Sequence, residues 1–215
     1  MKMDVKKMCV LAMLSALAYV VMVVVRVPIV LFLYYEPKDV IITIGGFLYG
    51  PLAALAVTVV VAFVEMFTAS ETGPIGLLMN IIAGASFACT AAFIYKKNRS
   101  LKGAVYGLIA AWLLTTAVMI LWNYLIVPIY MEVPRQQVAT MLLPIFLPFN
   151  LIKGGLNAAI IMLLYKPIKT VLEKSNLMPL PEADKKGKFS WGIVIASAFV
   201  ILTCVLWVMM LQGRL

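Results

Sequence analysis

Three polar residues stand on one face of an otherwise apolar stretch. Asn150, Lys153 and Asn157 lie in the segment LLPIFLPFNLIKGGLNAAIIMLLY. At about 100° per residue in an α-helix they fall within about 60° of one another, so one face carries an ammonium group and two carboxamides. A lysine at bilayer depth costs at least about 2.5 to 3.5 kcal/mol, and such charges usually mark a pathway, a ligand or an ion pair. We therefore expect a polar partner for this face, either a ligand or a buried acid.

Other polar and aromatic residues favour a flat, neutral ligand. Asn80, Asn123 and Glu65 also lie within apolar segments. Carboxamides both donate and accept hydrogen bonds, which suits the edge of a heterocycle or the hydroxyls of a polyol. Aromatic residues stand near them or in the first outer loop: Trp122, Tyr124, Phe146, Phe149, Phe32, Tyr34 and Tyr35. Aromatic walls with a few oriented polar groups are typical of sites for planar organic ligands, although tyrosines near span ends also form the interfacial belt.

Several chemistries are excluded or disfavoured. The chain has no histidine, so Ser-His nucleophiles and His-based zinc sites are impossible. No GxxxxGK[ST] phosphate loop occurs, so the chain cannot hydrolyse ATP by itself. Glu65 is the one carboxylate clearly inside a span, and Asp39 lies at an edge, which gives little support for paired-carboxylate catalysis. We expect no enzyme, no metal and no cofactor; a lipid-modifying enzyme is the minor alternative. Cys9, Cys89 and Cys204 stand singly, as packing residues do.

The polar residues must be positioned by membrane helices. The 215 residues are 64% hydrophobic and 13% charged, with a mean hydropathy of +1.05. Continuous apolar runs without strand-like alternation predict an all-α integral membrane protein. The net charge of +9 comes from basic clusters at span ends, which the positive-inside rule explains, so we expect contact with membrane lipid and no nucleic-acid partner.

The apolar segments predict seven helices. They run over residues 5–25, 39–48, 51–68, 74–95, 101–130, 139–172 and 191–211. Gly50-Pro51 separates the second from the third, and the short second helix is expected to start below the membrane surface under the loop 26–38. Basic clusters near residues 2–7, 96–102 and 166–188 place the N-terminus in the cytoplasm. The predicted organisation is a six-helix core over 1–175, a cytoplasmic linker over 176–190 and an additional transmembrane helix within 191–215.

Several motifs resemble the substrate-binding S components of energy-coupling factor (ECF) vitamin transporters, particularly the riboflavin type. They include Gly46-Phe47-Leu48-Tyr49-Gly50-Pro51, Thr72-Gly73-Pro74-Ile75-Gly76 with Asn80, Trp122-Asn123-Tyr124 and, most specifically, Pro148-Phe149-Asn150-Leu151-Ile152-Lys153-Gly154. Tyr35-Glu36-Pro37-Lys38-Asp39 and Ala12-x-x-x-Ala16 also match. The resemblance covers about residues 5–175. It implies a six-helix fold with a vitamin pocket near the outer surface, so the seventh helix is a departure.

The resemblance also implies a function and its residues. Asn123, Asn150 and Lys153 would hold an isoalloxazine ring with Tyr124 and Phe149 nearby, while Asn80 and Asp39 would lie at the ribityl side or anchor the loop. Ala12 and Ala16, whose spacing permits close helix approach, would meet the ECF transmembrane subunit, and two ATPase subunits would hydrolyse ATP. The chain is then a high-affinity riboflavin-binding subunit of a cell-membrane importer. The alternatives are an S component for flavin mononucleotide (FMN) or another vitamin, or a self-sufficient secondary transporter using Glu65 and Lys153.

Overall fold

Membrane-length apolar helices make up most of the fold. The computed structural model describes residues 5–30, 33–69, 72–174 and 191–212. In this part of the chain, six helical segments are long and apolar enough to cross a membrane: Val5–Val24, Pro51–Thr68, Gly73–Lys97, Leu101–Tyr130, Arg135–Tyr165 and Trp191–Leu211. A further helix, Lys38–Tyr49, has 12 residues and is about 18 Å long, too short to cross the apolar layer upright. The predicted all-α membrane class is confirmed.

The first three helices follow the predicted boundaries closely. They are α1 (Val5–Val24), α2 (Lys38–Tyr49) and α3 (Pro51–Thr68). Gly50 separates α2 from α3 with φ of 91°, a left-handed conformation that glycine adopts without steric penalty. Pro51 follows at the first position of α3, where its missing N–H group costs nothing. The predicted break at Gly50-Pro51 is therefore confirmed.

Two of the membrane spans contain a π-helical turn. Helix α4 (Gly73–Gly84) runs through the turn Ala85–Cys89 into α5 (Thr90–Lys97). Likewise, α7 (Arg135–Met141) runs through the turn Leu142–Phe146 into α8 (Leu147–Lys174). Between them lies α6 (Leu101–Tyr130), whose start is capped by the Ser100 hydroxyl, which accepts from the Gly103 N–H at 3.1 Å. A π-helical turn rotates the following helix relative to the preceding one, and such turns are frequent at functional sites.

The loop between α1 and α2 contains a short β-hairpin, which the sequence did not predict. Strand β1 (Val27–Val30) pairs antiparallel with β2 (Leu33–Tyr35). Both strands are rich in β-branched and aromatic residues, which favour extended structure. Ile29, Leu33 and Tyr35 are buried against the helices beneath. The hairpin therefore forms the roof that was expected from the loop over residues 26–38.

The last helix, α9 (Trp191–Leu211), packs along α8. Its Cys204 joins a buried cluster with Phe146 and Ile152 of the opposing span. The end of α9 also meets the hairpin, because the Gln212 side chain donates to the Pro28 carbonyl oxygen at 2.6 Å. The additional helix is thus attached to the six-helix core. The predicted linker over 176–190 lies outside the described residues.

Candidate ligand-binding site

A cavity lies beneath the hairpin, between α4, α6 and α8. The space open to the centre of a water molecule amounts to about 130 Å³, whereas a single water needs about 10–15 Å³ by the same measure. The cavity is therefore large enough for an organic molecule rather than one or two structural waters. Its walls also include the start of α2 and the end of α3, through Asp39 and Glu65.

Each of the three principal helices contributes one face to the cavity. Helix α4 provides Thr72, Ile75, Gly76, Met79, Asn80 and Ala83; α6 provides Trp112, Thr115, Met119, Trp122, Asn123, Ile126, Val127 and Tyr130; α8 provides Phe149, Asn150, Lys153, Gly154 and Asn157. These positions recur every three or four residues, the spacing of one side of a helix. The mixture of apolar, aromatic and carboxamide side chains is typical of small-molecule sites.

Lys153 belongs to a buried polar network that crosses three elements. Its Nζ atom lies 3.4 Å from Oδ2 of Asp39, and the same oxygen lies 3.4 Å from Nδ2 of Asn157. The Tyr35 hydroxyl donates to Oδ1 of Asn157 at 3.1 Å. Burial, with Asp39 adding to it, raises the pKa of the Tyr35 hydroxyl, so it stays a protonated donor. The network joins the hairpin to α2 and α8 beside the cavity.

A second network closes the cavity on the side of α3 and α4. Lys38 forms ion pairs with Glu36, at 2.9 Å, and with Glu65. The other oxygen of Glu65 accepts a hydrogen bond from Nδ2 of Asn80 at 2.9 Å. Arg26 lies 3.4 Å from Glu36 at the cavity mouth. Three of these residues, Glu36, Lys38 and Glu65, are at least 93% buried, so their charges are compensated by one another rather than by water.

The two networks balance their charges around the cavity. The cations are Arg26, Lys38 and Lys153, and the anions are Glu36, Asp39 and Glu65. Among the described residues of these networks, three positive charges therefore meet three negative ones. An additional buried charge would be left uncompensated, which is costly in an environment of low dielectric constant. The arrangement suits a neutral polar ligand better than an ion.

Two carboxamides remain available to a ligand. Nδ2 of Asn150 donates to the Phe146 carbonyl oxygen at 2.8 Å, which leaves its oxygen and one N–H without a partner among the described residues. Asn123 is 97% buried, and it lines the cavity. Because a carboxamide offers both donors and an acceptor, both side chains are suited to bind a polar edge.

The structure brings six of the seven predicted ligand-contacting residues to this cavity: Asp39, Asn80, Asn123, Phe149, Asn150 and Lys153. Tyr124 is the exception. It is 37% exposed and is absent from the cavity wall, because one residue along a helix turns the side chain by about 100° away from Asn123. The structure therefore does not bring Tyr124 to the cavity with the other six residues. The first-loop residue Phe32 lies outside the described residues.

Two other expectations can be compared with the structure. Glu65 pairs with Lys38 and Asn80 rather than with Lys153, so the two residues used by the secondary-transporter alternative are not paired in this structure. On α1, Ala12 and Ala16 are exposed. Their neighbour Ser15 is buried and donates to the Leu11 carbonyl oxygen at 2.9 Å. The exposed small residues on this part of α1 are therefore the two alanines.

Comparison with known proteins decides the family. Residues 6–165 match the model of the family described as ECF transporter, substrate-specific component. The chain belongs to this family. The S component is 33% identical over 178 residues to the riboflavin transporter RibU of Staphylococcus aureus (strain TCH60), covering 79% of this chain and 93% of the relative. It is 32% identical over 186 residues to the riboflavin transporter FmnP of Bacillus subtilis (strain 168), covering 81% of this chain and 97% of that relative.

A solved structure supports the same fold assignment. The structure described as "Structure and mechanism of the S component of a bacterial ECF transporter" superposes on this S component with a TM-score of 0.66. The two chains are 31% identical, and the match covers 78% of this chain and 97% of the other. Helix α9 lies beyond the residues 6–165 matched by the family. The family consists of transporter components, in agreement with the prediction of a transport protein.

Some residues of the site were not singled out from the sequence. Trp112 and Thr115 of α6 line the cavity, and Lys38 holds two carboxylates together. The sequence does contain a signal for Trp112 and Thr115, because the two polar groups are three residues apart and therefore share a face of the predicted helix. In contrast, Glu65, one of the two partners of Lys38, is 27 residues away in the chain, and no local pattern indicates that pair.

Proposed function

We propose that this S component binds riboflavin, or a closely related flavin, and captures it at the extracellular side for import. The observation that carries the proposal is the charge-balanced cavity, in which two available carboxamides lie among aromatic and apolar walls. A flavin is flat, and the pyrimidine edge of its ring alternates hydrogen-bond donors with acceptors, which carboxamides complement. The two relatives named as riboflavin transporters support the same ligand.

In this proposal each wall of the cavity has a separate role. Asn123, Asn150 and Lys153 bind the polar edge of the ring, and Phe149 provides apolar area against its face. Asn80 and Asp39 lie toward the hydroxylated chain or hold the roof in place. Lys153 keeps its ion pair with Asp39, so its charge remains compensated while one of its N–H groups is available to a carbonyl oxygen.

Import requires partners, and we infer that this chain works with an ECF transmembrane subunit and two ATPase subunits. The chain contains no phosphate loop, so ATP must be hydrolysed by another protein. Ala12 and Ala16 provide an exposed small-residue face on α1, which allows close approach of a partner helix. The basic clusters favour a cytoplasmic N-terminus and a cytoplasmic loop after α5, by the positive-inside rule.

Ligand identification tests the proposal directly. The protein, purified in detergent from cells grown with riboflavin, should carry a yellow, fluorescent molecule that mass spectrometry identifies as riboflavin. Ligand-free protein should quench riboflavin fluorescence in a titration with one site per chain. Failure to bind any flavin, with retention of a different vitamin, would contradict the substrate assignment. In vesicles that contain only this chain, a proton gradient should cause no accumulation of flavin; accumulation would indicate a secondary transporter.

A further inference from the structure

The cavity wall contains two buried polar atoms that have no protein partner. They are Nε1 of Trp112 and Oγ1 of Thr115, one turn apart on α6. No group in the described part of the chain accepts from either atom. Both residues line the cavity. A buried donor without an acceptor costs free energy, and in a native protein such groups commonly mark a functional site.

Thr115 differs from other helical threonines of the described structure. Five of them donate to the carbonyl oxygen four residues earlier, namely Thr43, Thr58, Thr68, Thr116 and Thr203. This local bond is the usual way for a hydroxyl to be satisfied inside an apolar helix. Thr115 makes no such bond although its neighbour Thr116 does, so its hydroxyl is left for a partner other than its own helix.

The position of Trp112 is fixed by α8. A Cβ atom built on Gly154 would lie 2.1 Å from Cδ1 and 2.8 Å from Nε1 of Trp112. The indole ring therefore packs directly on the backbone at Gly154, next to Lys153. Because glycine is required for this contact, the sequence Lys153-Gly154 places an ammonium group and an indole N–H on the same stretch of the cavity wall.

We propose that Trp112 and Thr115 form a second polar subsite, which binds a neutral oxygen of the ligand at the inner end of the cavity. The inference rests on the proposed flavin-binding function. An indole N–H only donates, and a hydroxyl both donates and accepts, so the matching group is a carbonyl or hydroxyl oxygen. Thr115 and Asn123 are eight residues apart, about 12 Å along α6. The subsite therefore contacts a part of an elongated ligand distant from the part bound at Asn123.

Isosteric substitutions test the subsite in the full-length protein. Trp112→Phe removes the N–H group and keeps most of the ring, and Thr115→Val replaces the hydroxyl with a methyl group. Each should weaken riboflavin binding by about 3- to 10-fold, the range for one hydrogen bond. In the ligand-free protein, Thr115→Val should leave the melting temperature unchanged or raise it, because it removes an unsatisfied polar group. A purely structural role would instead lower the melting temperature and leave affinity unchanged.

The matched controls are Thr116→Val and Trp207→Phe. Thr116 is satisfied within its own helix, and Trp207 lies on α9, so neither change should affect affinity. Comparison with lumiflavin, which has the ring but no hydroxylated chain, identifies the oxygen. If the substitutions weaken the binding of riboflavin but not of lumiflavin, the subsite binds a hydroxyl of the chain. If they weaken the binding of both ligands equally, it binds a carbonyl of the ring. Unchanged affinity in both folded variants would overturn the subsite, whereas a wild-type protein without flavin affinity would overturn the proposed function itself.

Discussion

Replacing Lys153 with methionine should reveal how strongly the cavity depends on its ion pair with Asp39. The two charged atoms lie 3.4 Å apart. At that distance the attraction is about 5 kcal/mol with an effective dielectric constant of about 20, and desolvation of both groups offsets much of it. The larger effect on stability comes from the carboxylate that the substitution leaves behind. Lys153→Met leaves the 97% buried carboxylate of Asp39 with a hydrogen bond from Asn157 but without its ion-pair partner.

Removing one partner of a buried ion pair typically costs about 3–5 kcal/mol. The Lys153 side chain is 17% exposed, and Asn157 still donates to Asp39. We therefore expect a loss near the lower limit, about 3 kcal/mol, for Lys153→Met, and a similar loss for Asp39→Asn. The double variant has no unpaired charge, so it should be more stable than the sum of the two losses predicts, by at least about 1.5 kcal/mol.

The assay is unfolding of the ligand-free protein in detergent, measured for the wild type, both single variants and the double variant. Lys96→Met, at an exposed position near the end of α5, controls for the loss of a positive charge. Strictly additive losses in the double variant would show that the two residues do not interact. In that case the account of the cavity as a charge-balanced site would be wrong, because Lys153 would then be an uncompensated cation.

Two further predictions follow from particular packing contacts. Gly154→Ala should weaken flavin binding and destabilise the protein by about 1–3 kcal/mol, because the added methyl group overlaps Trp112. Gly155→Ala is the matched control, since its Cβ would meet its neighbours at an ordinary 3.5 Å; equal effects from the two would contradict the packing argument. The double substitution Ala12→Leu and Ala16→Leu should abolish copurification with the transmembrane subunit without changing flavin affinity. The control Met13→Leu, at another exposed position, should change neither copurification nor affinity. Loss of affinity in the alanine variants would place that face in the binding site.

Helix positions could be predicted from the sequence because their limits are marked locally. Pro51 begins α3 and Ser100 caps α6, and the predicted segments 51–68, 101–130 and 191–211 coincide with helices in the structure. The hairpin over the cavity was not predicted. Its strands have only four and three residues, and a two-stranded hairpin of this size depends on packing against other elements for its stability.

Part of the cavity could also be predicted from local sequence, because several of its residues belong to one helix. Asn150, Lys153 and Asn157 share a helix face by their spacing alone, so their common location followed from helix geometry. The identity of the acid that pairs with Lys153 could not be predicted in this way, because Asp39 and Glu65 were both available. Only the packing of α2 against α8 brings Asp39 to Lys153. Tyr124 was included through its adjacency to Asn123 in the chain, although neighbours in a helix point in different directions.

The adjacent glycines of α8 explain how a seventh helix packs closely against the six-helix core. Gly154 and Gly155 are one residue apart, so their open faces differ by about 100° around the helix. The first receives the Trp112 ring at the cavity, and the second faces Cys204 and Val200 of α9 together with Cζ2 of the same ring. The indole ring therefore reaches from the cavity wall to the contact between α8 and α9. Helix α9 also reaches the roof, because Gln212 donates to the Pro28 carbonyl oxygen. Any influence of α9 on ligand binding thus has two routes, the packing around Trp112 and the position of the hairpin.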